Sequence, residues 1–350
     1  MPSPALLSVD LNALARNFHT LEAVTGAPVH PVVKADAYGL GAKACATRLM
    51  AEGARTFFVA RVDEGVTLRA ALGDAPTIYV LDGCHGGGAG VLKAADLRPV
   101  LNQPRQMQAW AEAGGGACGL QIDTGLNRLG FRPEDAPAPF EGLSLVMSHL
   151  ACADEPDQPM NQRQRDAFAA AAARYPGITR SLANSGGCFL GRDYSFDAVR
   201  PGVCLYGGGP QGRPDGRIAA VATLTAEVLQ VRDVKPEESI GYSRGFLADR
   251  PVRAAVIAAG YADGVMRAYG QSGAAWIAGE IRPLLGRVSM DVCTIDVTGL
   301  EVTVGDRVEL FGANRSLDEA AAAAGTISYE LLTAVSNRVP RAYVGRYDRS

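Results

Sequence analysis

Lysine, histidine and tryptophan are all scarce: 350 residues hold four lysines, four histidines and two tryptophans. The histidines, His19, His30, His85 and His149, stand far apart and form no H-x-x-x-H or H-E-x-x-H pair, so no catalytic metal is expected. Seven cysteines are scattered without C-x-x-C spacing, which argues against a disulfide framework and against a zinc site. No apolar run approaches the about 18 residues of a bilayer-spanning helix. The start, MPSPALLSVDL, lacks a basic flank and a long apolar stretch, so a cytoplasmic protein is expected. An excess of one charge is missing too: 34 Lys plus Arg face 37 Asp plus Glu, and the net charge of −3 offers nothing to nucleic acid or an anionic membrane.

What is present is an ordinary globular composition, 47% hydrophobic and 20% charged. The length suits about two domains. From about residue 11 to 207, short apolar or β-branched runs alternate with Ala-rich segments of helical spacing, the rhythm of βα units. The strand candidates are Val29–Lys34, Thr56–Arg61, Thr77–Leu81, Arg98–Leu101, Leu120–Asp123, Ser144–His149, Ile178–Ala183 and Val203–Tyr206. Eight strands of this kind predict an α/β protein with an N-terminal (β/α)8 TIM barrel. Helices are expected at Leu11–Val24, Ala42–Glu52 and Met160–Arg174, with little helical signal between residues 120 and 145. The Gly/Pro-rich stretch Gly207–Gly216 breaks this pattern. Strand-like runs follow at Val221–Val234, Val252–Ala259, Ala274–Ala278, Val292–Val297 and Arg307–Phe311, with one helix near 317–324. The expected organisation is an N-terminal segment 1–10 packing with the C-terminal domain, a barrel over 11–217 and a mainly β C-terminal domain over 218–350.

One of the four lysines, Lys34, ends the apolar run Val29-His-Pro-Val-Val-Lys34. Burying an isolated ammonium is costly, so this side chain either snorkels from the strand end or is a Schiff-base lysine whose pKa desolvation lowers. It is followed by the Gly-containing loop Ala35–Gly41, where a barrel carries its active site. Leu182-Ala-Asn-Ser185-Gly-Gly187 and Val199-Arg200-Pro-Gly202-Val203 are glycine-bearing turns late in the barrel. Each alone is a capped turn; together they suit a phosphate, and beside a barrel lysine the economical ligand is pyridoxal phosphate. Arg128, in Asp123-Thr-Gly-Leu-Asn-Arg128-Leu-Gly130, either pairs at the surface or grips a carboxylate, and His149 is either a core histidine or a hydrogen-bond partner at the site.

Taken together, these pieces resemble the alanine racemases. The likeness rests on Val33-Lys34-Ala-Asp-Ala-Tyr38-Gly, Asp123-Thr-Gly125 with Arg128-Leu-Gly130, Ser148–Asp154, Ala183-Asn-Ser185 and Arg200-Pro-Gly202. It continues through Gly241-Tyr242, Gly260-Tyr261-Ala-Asp-Gly264, Gly286-Arg287-Val-Ser-Met290-Asp291, Ile327-Ser-Tyr329-Glu330 and Arg338-Val-Pro-Arg341, so that it spans nearly the whole chain. The resemblance implies a PLP-dependent isomerase that interconverts L-alanine and D-alanine and supplies D-alanine for peptidoglycan of the cell wall. Lys34 holds pyridoxal 5'-phosphate covalently and serves the D enantiomer; Tyr242 is the opposing base for L-alanine. Such a phenol needs nearby positive charge to work near neutral pH, and Arg128 and the Arg200–His149 pair are the candidates.

By the same resemblance Tyr38, Ser185, Gly202, Val203 and Tyr329 bind the phosphate, and Arg200, with His149 beside it, faces the pyridine nitrogen. Arg128 and the Met290 backbone N–H hold the substrate carboxylate. Tyr261 and Tyr329 narrow the way in, with Asp154, Arg287 and Ile327 further out. A homodimer with shared active sites is implied, because Tyr242, Tyr261 and Met290 lie in the second domain. One place departs from the pattern: many relatives carry a carbamylated lysine just before Asp-Thr-Gly, where this chain has Gln121. Its amide oxygen, or a bound anion, is expected to take over the contact with Arg128. Asp36, Leu40 and Ser289 are smaller departures. Competing readings are a broader racemase acting on serine or larger amino acids, a PLP carrier or homeostasis protein, which would resemble the first domain alone, and a related barrel-plus-β decarboxylase.

Overall fold

The structure, a computed structural model, describes residues 3–345. Residues 1–2 and 346–350, at the outer ends of the expected domains, lie outside the described residues. The chain divides into two compact units: one covers Ala15–Leu205, and the other gathers the chain's two ends, up to Leu14 and from Tyr206 onward.

The first unit is built on a parallel sheet of six strands in sequential order: Thr56–Val59, Thr77–Val80, Arg98–Leu101, Cys118–Gln121, Leu143–Met147 and Thr179–Ser181. Residues of the first five are almost continuously buried, as strands covered on both faces require. Helix Ala42–Ala51 leads into the first strand, helices Val62–Leu72, Ala89–Ala94, Pro104–Glu112 and Pro159–Ala172 connect the strands, and none lies between Gln121 and Leu143. Two segments at the sheet's margins pair only through single bridges, Val29 with Val199 and Val32 with Phe58. Pro28, Pro31 and Pro201 offer no N–H to a ladder, which keeps these segments short of regular strands. Their carbonyls still accept, from Val199, Phe58 and Val32 respectively, at 2.9–3.0 Å. The expected last strand, Val203–Tyr206, is instead a 3-10 turn; the extended backbone lies just before it, where Arg200 N–H donates to the Ala183 carbonyl at 2.9 Å. Its four apolar residues are buried in a turn rather than a sheet, which an apolar run by itself cannot distinguish.

The second unit is mainly β. Its hub is the 13-residue strand Ala222–Val234, which pairs antiparallel with Ala5–Asp10, Arg307–Phe311 and Val252–Ile257. Ala5–Asp10 alternates buried and half-buried residues, placing Ala5, Leu7 and Val9 in the core, and it also pairs in parallel with Arg341–Val344. Ala274–Ile277, Glu280–Pro283 and Cys293–Asp296 extend the sheet. Helices Leu317–Ala323 and Ser328–Ala334 follow, the first capped by Ser316, whose hydroxyl accepts from Glu319 N–H at 3.1 Å. Among the described residues no helix is long and apolar enough to cross a membrane.

Candidate functional site

Lys34 is half-buried at the point where the backbone reverses its hand. Ala35, Asp36, Ala37 and Tyr38 follow at φ 51°, 55°, 52° and 58°, one turn of left-handed helix made entirely of L-residues with side chains. Each such residue costs about 1–2 kcal/mol, so the turn must be held from outside. Glu64 Oε1 accepts the Ala35 N–H at 2.7 Å, and Asp36 Oδ1 accepts the Ala42 N–H at 2.7 Å. Burial pushes the Lys34 ammonium down from its ordinary pKa and the Arg128 charge adds to this, while Glu64 and Asp82 oppose it. A lysine held this way gives up its proton more readily than a surface one.

The left-handed turn delivers Tyr38 into the core, and its hydroxyl lies so close to Gly202 that a Cβ there would collide with it. Beside it the buried Ser185 Oγ accepts the Gly202 N–H at 2.9 Å and the Cys204 N–H at 3.2 Å. A tyrosine hydroxyl, a serine hydroxyl and two backbone N–H groups thus gather at one place, a donor set suited to phosphate oxygens. These residues fit a phosphorylated cofactor anchored at Lys34.

Arg200 is 4% exposed. Its guanidinium donates to Ser181 Oγ at 2.6 Å and the Ser148 carbonyl at 2.5 Å, and lies over the Phe58 ring at 5.9 Å. Desolvation lowers its pKa to about 9, which still leaves it a cation at neutral pH. His149 is pushed down to about 3 by desolvation and by the charges of Arg200, Arg128 and Lys34, so it stays a neutral imidazole. Asn184 Nδ2 lies 3.5 Å from its Nε2, and Gln164 donates to its backbone carbonyl at 3.0 Å.

Arg128 projects from a loop with two internal ties. Asp123 Oδ1 accepts the N–H groups of Gly125, Leu126 and Asn127 at 2.9–3.1 Å. Gln121, buried at the strand end, donates through Nε2 to the Leu129 carbonyl at 2.9 Å. Gln121 therefore grips the backbone next to Arg128 rather than being seen on its guanidinium. Asp154 is exposed in the same unit, and Val203 is buried behind Gly202.

In the second unit a separate cluster of loops forms. Tyr242 is 70% exposed and Met290 53%, and Tyr261, Tyr329 and Ile327 are exposed as well. The backbone N–H groups of Tyr261 and Ala262 donate to the carbonyls of Ser289 and Met290 at 3.0 and 2.9 Å, tying the two loops together. Arg287 Nη1 donates to Ser243 Oγ at 3.1 Å, next to Tyr242. Arg338 braces the cluster through Asp263 at 2.6 Å and Asp291 at 2.8 Å. Motif reading gave no role to Arg338 and did not find Glu64, whose place three residues after Arg61 reads only as helix capping.

The sequence profile of the alanine racemase N-terminal domain matches residues 9–210, and that of the alanine racemase C-terminal domain matches 221–343. The protein named "Alanine racemase" of Jannaschia sp. is 44% identical, with 96% of this chain and 98% of that one covered. "Alanine racemase, catabolic" of Mesorhizobium japonicum is 43% identical, covering 97% and 93%. Among solved structures, alanine racemase from Bartonella henselae with covalently bound pyridoxal phosphate superposes at a TM-score of 0.92 with 34% identity, covering 98% of this chain and 100% of that one. A lysine-bearing α/β unit joined to a mainly β unit is the class these likenesses define. The chain belongs to the alanine racemase family.

Proposed function

We propose that the chain is an alanine racemase, a PLP-dependent isomerase that interconverts L- and D-alanine. The observation that carries this is the half-buried Lys34 at the start of the left-handed turn, its proton affinity lowered by burial, in one unit with the Tyr38, Ser185 and Gly202 donor set. On this reading the margins at 29–33 and 197–201 close the parallel sheet into an eight-stranded barrel over 11–217, followed by a β domain over 218–350 with segment 1–10 packed on it. Residues Lys34, Tyr38, Ser185, Gly202, Val203 and Tyr329 would hold pyridoxal 5'-phosphate. When bound, that group supplies an electron sink that acidifies the α-carbon proton of an amino acid.

The chain's own residues do the rest. Arg128 pairs with the substrate carboxylate, joined by the Met290 N–H. Arg200, held by Ser181 and the Ser148 carbonyl, would face the ring nitrogen with a guanidinium whose pKa of about 9 lets it keep its proton at neutral pH. Neutral His149 adds no second charge beside it. Lys34 Nζ takes or returns a proton on one face of the α-carbon and Tyr242 Oη on the other, which is what inversion requires. Tyr261, Tyr329, Asp154, Arg287 and Ile327 shape the approach.

Tyr242 and Met290 stand exposed in their own unit, and a homodimer in which each site borrows them from the partner gives that exposure a use. A Lys34→Ala chain and a Tyr242→Ala chain, each inactive alone, should then recover activity when mixed and allowed to exchange subunits. Random pairing of equal amounts yields half mixed dimers, each with one intact site, so recovery should approach about a quarter of the parent rate. No recovery after demonstrated exchange contradicts the shared site. In a cytoplasmic setting, the D-alanine produced would feed peptidoglycan synthesis.

A further inference from the structure

The left-handed turn after Lys34 is the most strained backbone in its unit, with four successive side-chain-bearing residues at positive φ. Inside the turn, hydrogen bonds run from Ala37 N–H to Val33, Gly39 N–H to Ala35 and Gly41 N–H to Asp36, at 2.8–2.9 Å. The Ala35 N–H, first after Lys34, has none of these carbonyls; it is taken by Glu64 Oε1 at 2.7 Å. The other oxygen of the same carboxylate accepts the Ala60 N–H at 2.8 Å and the Arg61 N–H at 3.1 Å, immediately beyond strand Thr56–Val59. Glu64 itself sits in the first turn of helix Val62–Leu72. One carboxylate therefore ties the turn that follows Lys34 to the end of the neighbouring strand.

We propose that Glu64 is a positioning residue for Lys34: its two-sided carboxylate holds the left-handed turn closed and so fixes the direction in which Lys34 leaves the barrel wall. This rests on the reading of Lys34 as the reactive amine. The bland role for Glu64 is to cap its own helix through the Ala60 and Arg61 N–H groups. The two roles use different oxygens, so they separate cleanly. In Glu64→Gln the amide oxygen can still serve Ala60 and Arg61, because glutamine caps a helix from this position as well as glutamate does. Its NH2 then faces the Ala35 N–H, a donor against a donor.

The test is amide hydrogen exchange on the full chain, with and without pyridoxal phosphate. Glu64→Gln should speed exchange at residues 35–41 by roughly ten- to a hundredfold, the worth of a hydrogen bond to a charged group, and leave helix Val62–Leu72 at the parent rate. Adding Ala35→Gly should slow exchange at 36–41 again, because glycine takes positive φ without penalty. If Glu64→Gln alone folds poorly, the double variant measured against Ala35→Gly carries the same comparison. With cofactor loaded, exchange of the α-proton of D-alanine, served by Lys34, should fall by roughly tenfold or more, and that of L-alanine by less. Unchanged exchange at 35–41, or faster exchange spread over the whole unit and not rescued by Ala35→Gly, overturns the proposal. A parent chain that exchanges neither enantiomer while its turn stays protected overturns the racemase reading instead.

Discussion

At the scale of single residues, Gln121 is where the structure adds most to the sequence reading. The sequence reading expects its amide oxygen, or an anion, to meet Arg128; the structure shows its Nε2 on the Leu129 carbonyl at 2.9 Å. The side chain thus steadies Arg128 through the backbone that carries it. Gln121→Leu keeps the bulk, removes the donor and strands a carbonyl, at a cost of about 1–3 kcal/mol. The expected outcome in steady-state kinetics is a several-fold higher KM for alanine with a smaller change in kcat. A lowered Tm with KM unchanged would make Gln121 a packing residue only. That the loop carrying Arg128 follows a strand was legible in the sequence, but the direction of an amide at that strand's end was not, because it is set by a loop that closes eight residues later.

Among the elements, the loops of the second unit depend on one brace. Asp263 is 4% exposed, accepts the Gly260 N–H at 2.8 Å, and is met by Arg338, which also reaches Asp291. The turn bearing Tyr261 and the loop bearing Met290 are thereby held by one guanidinium. Arg338→Ala leaves a buried carboxylate without its cation, so the chain should melt earlier and KM should rise more than kcat falls; thermal unfolding alongside kinetics checks this. Arg338→Lys, which keeps the charge but not the forked geometry, should restore Tm more than KM. Unaltered KM in both variants would remove Arg338 from the site. Arg307–Phe311 was read from the sequence to the residue, and Ala222–Val234 within one residue, because long alternating or apolar runs declare themselves. Val203–Tyr206 failed because a buried 3-10 turn and a buried strand share the same apolar composition. Glu280–Pro283 was missed because three of its four residues are exposed and it carries no inward stripe. The left-handed turn after Lys34 was invisible too: nothing in Ala-Asp-Ala-Tyr foretells positive φ, and the carboxylate that holds it comes from 29 residues further on.

For the whole molecule, the proposed function has the two units divide the chemistry. One carries Lys34, the Tyr38, Ser185 and Gly202 donor set, Arg128 and Arg200; the other carries Tyr242, Tyr261 and Met290, all exposed. The account stands on both units contributing a base to one carbon atom. The most direct measurement is proton NMR of the purified chain with pyridoxal phosphate and L-alanine in deuterated water, beside a chiral assay for D-alanine. Loss of the α-proton signal with D-alanine accumulating toward an equal mixture is the predicted result. Loss of the signal with L-alanine retained would mean that a single base works on the face given to Tyr242 and that Lys34 does not serve the other. No loss with cofactor bound would contradict the racemase itself.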